Sequence, residues 1–113
     1  MNGKRAKIEG AHSVLDRIVD ALVCAYSPQS IYLFGSRARG DAGSDSDYDL
    51  LVVLRKPIKK KLRRDVQLVL WRAGISAAAD VVILTKETFE AKLTVKTSLP
   101  SIAASEGKLL YAA

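Results

Sequence analysis

The chain has 113 residues, of which 49% are hydrophobic, and a formal net charge of +6. This length suits one domain whose core needs no metal or disulfide, and the single cysteine, Cys24, excludes an internal disulfide framework. No apolar run approaches the roughly 20 residues of a membrane span, so we expect a cytoplasmic protein without a signal peptide. The positive charge favours anionic partners.

The first half of the chain opens with a polar, basic segment at residues 1–9, which is expected to fray. Apolar residues at helical spacing then predict an amphipathic helix over residues 11–26, with the thiol of Cys24 buried in the core. Residues 31–34 predict a short strand that ends at a glycine. The small and polar residues 35–46 predict a loop with one helical turn.

The second half opens with the strongest strand signal, at residues 48–54, whose last five residues are all apolar. Such a run is typical of a central strand that is covered on both faces. A helix is predicted over residues 58–73, closed by Gly74 and carrying Trp71 in the core or at an interface. A strand follows at residues 80–84. The remaining predicted elements are a helix capped by Thr85, a helix with Pro100 in its first turn, and a strand at 108–111.

Acidic residues lead into two of the predicted strands. Asp47 and Asp49 are two residues apart, so in a strand their side chains point to the same face, and Asp80 begins the next strand. Carboxylates held this close repel one another unless a cation bridges them or one takes a proton. Mg²⁺ suits such a site because it accepts oxygen ligands and is commonly shared with substrate phosphates. Asp80 would add a third oxygen ligand and hold a second metal ion.

Residues suited to phosphate binding precede these acids. Gly35 allows close backbone approach, and Ser36 offers a hydroxyl and a backbone N–H at the start of the predicted helical turn. Arg37 and Arg39 add positive charge, and the arginine fork matches phosphate oxygens. Each piece alone is common in proteins. Their combination in one segment indicates a nucleotide-and-metal site.

The segment LFGSRARGD from Leu33 to Asp41, followed by DSDYDLLV from Asp45 to Val52, resembles the signature of the minimal nucleotidyltransferases (MNT). They belong to the DNA polymerase β-like superfamily. Gly-Ser, a ten-residue spacer and Asp-x-Asp match without a gap, and the resemblance covers roughly residues 12–111.

This resemblance implies an α/β (α+β) fold, with a small mixed β-sheet flanked by helices, in which residues 1–113 form a single nucleotidyltransferase domain. It implies Mg²⁺-dependent transfer of a nucleoside monophosphate from ATP or another NTP, with two metal ions expected. Gly35 and Ser36 would hold the triphosphate, and Asp47 and Asp49 would bind metal. Asp80 would match the third carboxylate and assist deprotonation of the acceptor.

The resemblance also suggests a biological partner. Many stand-alone members resemble antitoxins of HEPN/MNT pairs, which silence a HEPN-domain toxin by transferring AMP onto a tyrosine. A partner chain or a homo-oligomer would then complete the acceptor pocket. Two alternatives stay open: an antitoxin that acts by occlusion without catalysis, and transfer to a small molecule such as an antibiotic. The seven basic side chains within residues 55–64 form a solvated surface, or a surface for RNA or for an acidic toxin.

Overall fold

In a computed structural model of the chain, residues 4–5, 14–40, 47–61 and 65–113 are described. The strands are β1 (Lys4–Arg5), β2 (Ser30–Phe34), β3 (Tyr48–Leu54), β4 (Ala79–Thr85) and β5 (Lys108–Ala112). The helices are α1 (Val14–Tyr26), α2 (Ser36–Arg39), α3 (Val66–Arg72), α4 (Lys86–Lys92) and α5 (Leu99–Glu106). In this part of the chain, no helix has the length and apolar character needed to cross a membrane.

The strands form one sheet in the order β1-β5-β2-β3-β4. The β3–β4 pair is parallel, whereas β1–β5, β5–β2 and β2–β3 are antiparallel. The expected small mixed sheet is therefore confirmed. Because β3 and β4 run parallel, their two amino-terminal ends lie at the same edge of the sheet.

Helices cover both faces of the sheet and create two hydrophobic cores. On the first face, buried residues of α1 and α3 pack against Leu50, Val52 and Leu54 of β3. On the second face, Phe89 of α4 and Ala103 of α5 pack with Leu51 and Val53 of β3. This double coverage explains why the last five residues of β3 are all apolar.

The helix predicted over residues 58–73 is shorter at its start. Residues 57–59 lie outside any helix, residues 60–61 are helical, residues 62–64 lie outside the described part of the chain, and α3 begins at Val66. The predicted end is confirmed: Gly74 has a φ of 76°, and the N–H of Ile75 donates to the carbonyl of Leu70 at 3.0 Å.

Two further expectations are wrong, and a third is narrowed to one of its two alternatives. Cys24 is exposed, because the buried stripe of α1 passes through Leu22 and Val23 and the next residue turns away from the sheet. Trp71 is 74% exposed and not part of the core, since α3 buries Leu70 in its place, and the interface alternative remains. Within the segment expected to fray, residues 4 and 5 form β1 and pair with β5.

The remaining predicted elements are confirmed with small changes in their bounds. The hydroxyl oxygen of Thr85 accepts a hydrogen bond from the N–H of Thr88 at 3.2 Å and caps α4. Ser98 caps α5 in the same way, with Pro100 in its first turn, and β5 follows directly after Gly107. These two capped helices fix the second layer over the sheet.

Candidate active site at the entry of two parallel strands

The three predicted acids meet at the edge of the sheet where β3 and β4 begin. Asp49 and Asp80 are register partners in the parallel β3–β4 pair, so their side chains leave the same face of the sheet. Asp47 immediately precedes β3 and falls on that face by strand alternation. This is the face covered by α4 and α5 further along the strands, whereas Asp47 and Asp80 themselves are exposed.

The electrostatics of the site reflect this convergence. Partial burial raises the pKa of the Asp49 carboxyl above its ordinary value of 3.8, and the charges of Asp80 and then Asp47 raise it further. The charge of Arg39 acts in the opposite direction and lowers the same pKa. The two neighbouring carboxylates therefore affect the pKa of Asp49 more than Arg39 does.

The Gly-Ser turn lies directly against this carboxylate. Gly35 has a φ of 75°, and a Cβ atom added to it would overlap Oδ2 of Asp49. The N–H groups of Ala38 and Arg39 both donate to the Gly35 carbonyl at 3.1 Å, which closes the predicted helical turn as α2. The N–H groups at the start of a helix have no partner within it, so the turn presents hydrogen-bond donors beside the acids.

The two arginines predicted to bind phosphate have different surroundings. The charge of Arg39 acts on Asp49, as its effect on the pKa shows. The guanidinium carbon of Arg37 instead lies 4.0 Å from the ring centre of Tyr48. Tyr48 packs against the first core, on the opposite sheet face from Asp49, and therefore points away from the acids. Residues 41–46 of the spacer lie outside the described part of the chain.

The donor set suits a hard cation that completes its coordination with other oxygens. Among the described residues, no three carboxylates, imidazoles or thiolates are placed to hold one metal ion together. Mg²⁺ does not need such a cage, because it commonly binds one or two carboxylates together with substrate phosphates. Asp47 and Asp49, beside the phosphate-suited turn, fit that arrangement.

The contact between Arg37 and Tyr48 was not foreseen in the sequence. An arginine and a tyrosine eleven positions apart have no diagnostic spacing. The contact depends on how α2 folds back over the start of β3, which only the tertiary structure shows.

A small mixed sheet with a Gly-Ser turn and converging acids at the entry of two strands is an arrangement suited to transferring nucleotides. The family model described as nucleotidyltransferase domain matches residues 15–110, and the chain belongs to this family. No curated protein matches the chain.

Solved structures share the fold. A toxin–antitoxin crystal structure with AMP-PNP contains a chain 24% identical, with a TM-score of 0.64, over 87% of this chain and 73% of that chain. A mutant of the MntA–HpeT toxin–antitoxin gives 20% identity and a TM-score of 0.61, over 87% and 73% of the two chains. The tri-AMPylated Shewanella oneidensis HEPN toxin in complex with MNT antitoxin gives 20% identity and a TM-score of 0.57, over 88% and 71%. At these identities the likeness establishes the fold.

Proposed function

We propose that the protein is a cytoplasmic, Mg²⁺-dependent nucleotidyltransferase that moves AMP from ATP onto an acceptor hydroxyl. The observation that carries this proposal is the register of Asp49 with Asp80, beside a Gly-Ser turn that lies against the Asp49 carboxylate. Membership of the nucleotidyltransferase domain family supports the reaction class. The AMP-PNP in a structure of similar fold supports ATP as the donor.

Each site residue has a proposed role. The backbone N–H groups of the turn and the hydroxyl of Ser36 bind triphosphate oxygens, and Arg39 adds positive charge. Asp47 and Asp49 hold Mg²⁺, and Asp80 completes the carboxylate set for a second ion. When bound, the metal neutralises the crowded carboxylates and phosphates and stabilises the departing charge.

The transfer is a displacement at the α-phosphorus of ATP. The oxygen of the acceptor hydroxyl forms a bond to this phosphorus, while the bond from the phosphorus to the bridging oxygen of pyrophosphate breaks. Pyrophosphate leaves with that electron pair, and the proton of the hydroxyl passes to the carboxylate of Asp80. Asp80 is suited to this role because it is exposed at the edge of the site, where an acceptor can approach.

We propose a tyrosine of a HEPN-domain toxin as the acceptor. A complex of similar fold contains a tri-AMPylated HEPN toxin with its MNT antitoxin. Two large apolar side chains, one helical turn apart on α3, are also exposed. The exposed fraction is 41% for Leu68 and 74% for Trp71. Exposed aromatic side chains of this kind are enriched in protein interfaces.

The test is label transfer from ATP labelled on its α-phosphate, in Mg²⁺, to a co-purified HEPN partner. We expect the wild-type chain to label the partner and an Asp47→Asn/Asp49→Asn variant to lose at least ~100-fold of the rate. The control is Glu87→Gln/Glu90→Gln, which removes two exposed carboxylates from α4 and should transfer label normally. Equal rates for all three proteins would refute the proposal.

A second candidate function is neutralisation by occlusion, which the exposed pair Leu68 and Trp71 favours. In that case contact alone silences the partner. The Asp47→Asn/Asp49→Asn variant would then still protect cells from the toxin, whereas Trp71→Ser would not. Loss of protection in the acid variant supports catalysis, whether or not Trp71→Ser retains protection.

A further inference from the structure

We propose that Tyr48 is a positioning residue that holds the Gly35–Ser36 turn in its phosphate-binding orientation by stacking on Arg37. This inference rests on the proposed function, because it assigns a task to the turn that binds the triphosphate. Tyr48 lies between Asp47 and Asp49 in the sequence but leaves the other face of the sheet. It therefore acts on the turn without touching the nucleotide.

The turn needs such support because α2 is only four residues long. The backbone hydrogen bonds described for it are those from Ala38, Arg39 and Gly40 to the carbonyls of Gly35 and Ser36. A helix of one turn is unstable by itself, since its nucleation costs more free energy than so few bonds return. Contacts with the rest of the protein must therefore fix the direction of its N–H groups.

The side of α2 that faces the first core supplies these contacts. The Arg37 guanidinium carbon lies 4.0 Å from the ring centre of Tyr48, within the range of a favourable cation–π interaction. Ala38, the next residue, is buried in the first core, against which Tyr48 also packs. The turn is thus attached to the first face through two successive residues.

The other end of the turn meets the second face of the same strand. Gly35 approaches the carboxylate of Asp49 so closely that a Cβ atom would overlap it. Tyr48 and Asp49 are consecutive in β3 and point to opposite faces. The start of β3 therefore holds the turn from both sides, and the Arg37 stack keeps the N–H groups of the turn above the acids.

This geometry specifies which part of each side chain matters. The contact uses the face of the tyrosine ring, so phenylalanine retains it and leucine loses it. On the other partner the charged guanidinium matters, so Arg37→Met keeps much of the length and loses the attraction.

The experiment measures the Kd of AMP-PNP in saturating Mg²⁺ by calorimetry. We expect Tyr48→Leu and Arg37→Met each to raise the Kd about fivefold, as expected for losing one cation–π contact, and Tyr48→Phe to bind like the wild type. The control, Tyr32→Leu, makes the same chemical change on β2, where the ring stacks on Phe89 at 5.4 Å between centroids. It should bind AMP-PNP like the wild type.

A second readout needs no nucleotide. If the stack holds the turn, the Tm loss of the double variant Arg37→Met/Tyr48→Leu is smaller than the sum of the two single losses. Additive losses, unchanged binding by Tyr48→Leu, or a Tyr48→Phe variant as weak as Tyr48→Leu would each overturn the inference. A wild-type chain that does not bind AMP-PNP would overturn the proposed function, and the thermal cycle would still decide whether Tyr48 holds the turn.

Discussion

Asp49 and Asp80 are direct register partners across the parallel β3–β4 pair, and their carboxylates leave the same face of the sheet. A sheet that served stability alone would avoid two like charges at neighbouring positions, since directly opposed like charges are destabilising. The contact of Asp49 with the Gly35 turn adds partial burial to this repulsion. The pair therefore costs folding free energy that a bound cation would recover.

Removing the charge of Asp49 is expected to stabilise the metal-free protein at neutral pH. The folded pKa of Asp49 is raised above 3.8, so the folded state binds this proton more tightly than the unfolded chain does. This contribution to stability is present below pH 3.8 and is lost as the pH rises through the raised folded pKa. Asp49→Asn should thus have a higher Tm than the wild type at pH 7 in a chelator, with the gain shrinking towards pH 3.8.

The measurement is thermal unfolding between about pH 3.5 and about pH 8. The control is Glu87→Gln, which removes an exposed carboxylate remote from the site. A gain that is the same at every pH would contradict the electrostatic explanation.

Adding Mg²⁺ should reverse the order of the Tm values, so that the wild type becomes more stable than Asp49→Asn. A ligand that binds only the folded state raises its stability in proportion to the logarithm of its concentration above Kd. The wild type, with Asp47 and Asp49 intact, should gain Tm as Mg²⁺ is raised, and Asp49→Asn should gain little. Na⁺ at matched ionic strength separates coordination from screening, because screening would raise the Tm equally with every salt. Equal Mg²⁺ gains in both proteins would exclude Asp49 as a ligand.

Two effects on stability can be separated at Gly35: its close approach to the Asp49 carboxylate and the strain of its backbone. Gly35 and Gly40 both have positive φ, 75° and 83°, but a Cβ at Gly40 would have no atom within 4 Å. Gly40→Ala should therefore cost about 1 kcal/mol of unfolding free energy from strain alone. Gly35→Ala should cost at least ~2 kcal/mol and weaken AMP-PNP binding, because the new methyl group displaces the Asp49 carboxylate.

Denaturant unfolding of both variants checks this, together with a Gly35→Ala/Asp49→Ala double variant. The double variant should recover the part of the loss that comes from the overlap. If Gly35→Ala loses no more unfolding free energy than Gly40→Ala, and the double variant recovers none of that loss, the contact with Asp49 is not responsible.

Local sequence patterns were sufficient for four of the five strands, β2 to β5, but not for β1. The apolar run of β3 predicted its bounds correctly, and the Asp-x-Asp spacing placed Asp47 and Asp49 on one face. Strand order and the pairing of Asp49 with Asp80 depend on long-range contacts, which periodicity does not encode. Cys24 was assigned to the core from composition, although its helical angle places it beyond the buried stripe. The position of Arg37 required the fold of α2 over Tyr48.

The last prediction concerns the basic run after β3, of which Lys59 and Lys60 are both exposed. Pro57 and Ile58 line a small cavity with the carboxyl-terminal ends of β3 and β4, so the run lies at the far end of these strands from the acids. Asp49 and Leu54 are five residue steps apart along β3, which is roughly 17 Å. That separation exceeds the Debye length of about 8 Å at physiological salt.

Charge reversal by Lys59→Glu/Lys60→Glu should therefore leave the Kd of AMP-PNP and the Tm close to their wild-type values. The matched control reverses two exposed lysines, one at the end of α4 and one in the turn that follows it, as Lys92→Glu/Lys96→Glu. If the run binds RNA, the first variant alone loses RNA affinity, and wild-type affinity falls steeply with salt. If it binds an acidic toxin surface, the same variant loses the toxin and not RNA. A rise in the Kd of AMP-PNP in the first variant alone would show that the run lies closer to the nucleotide than β3 places it.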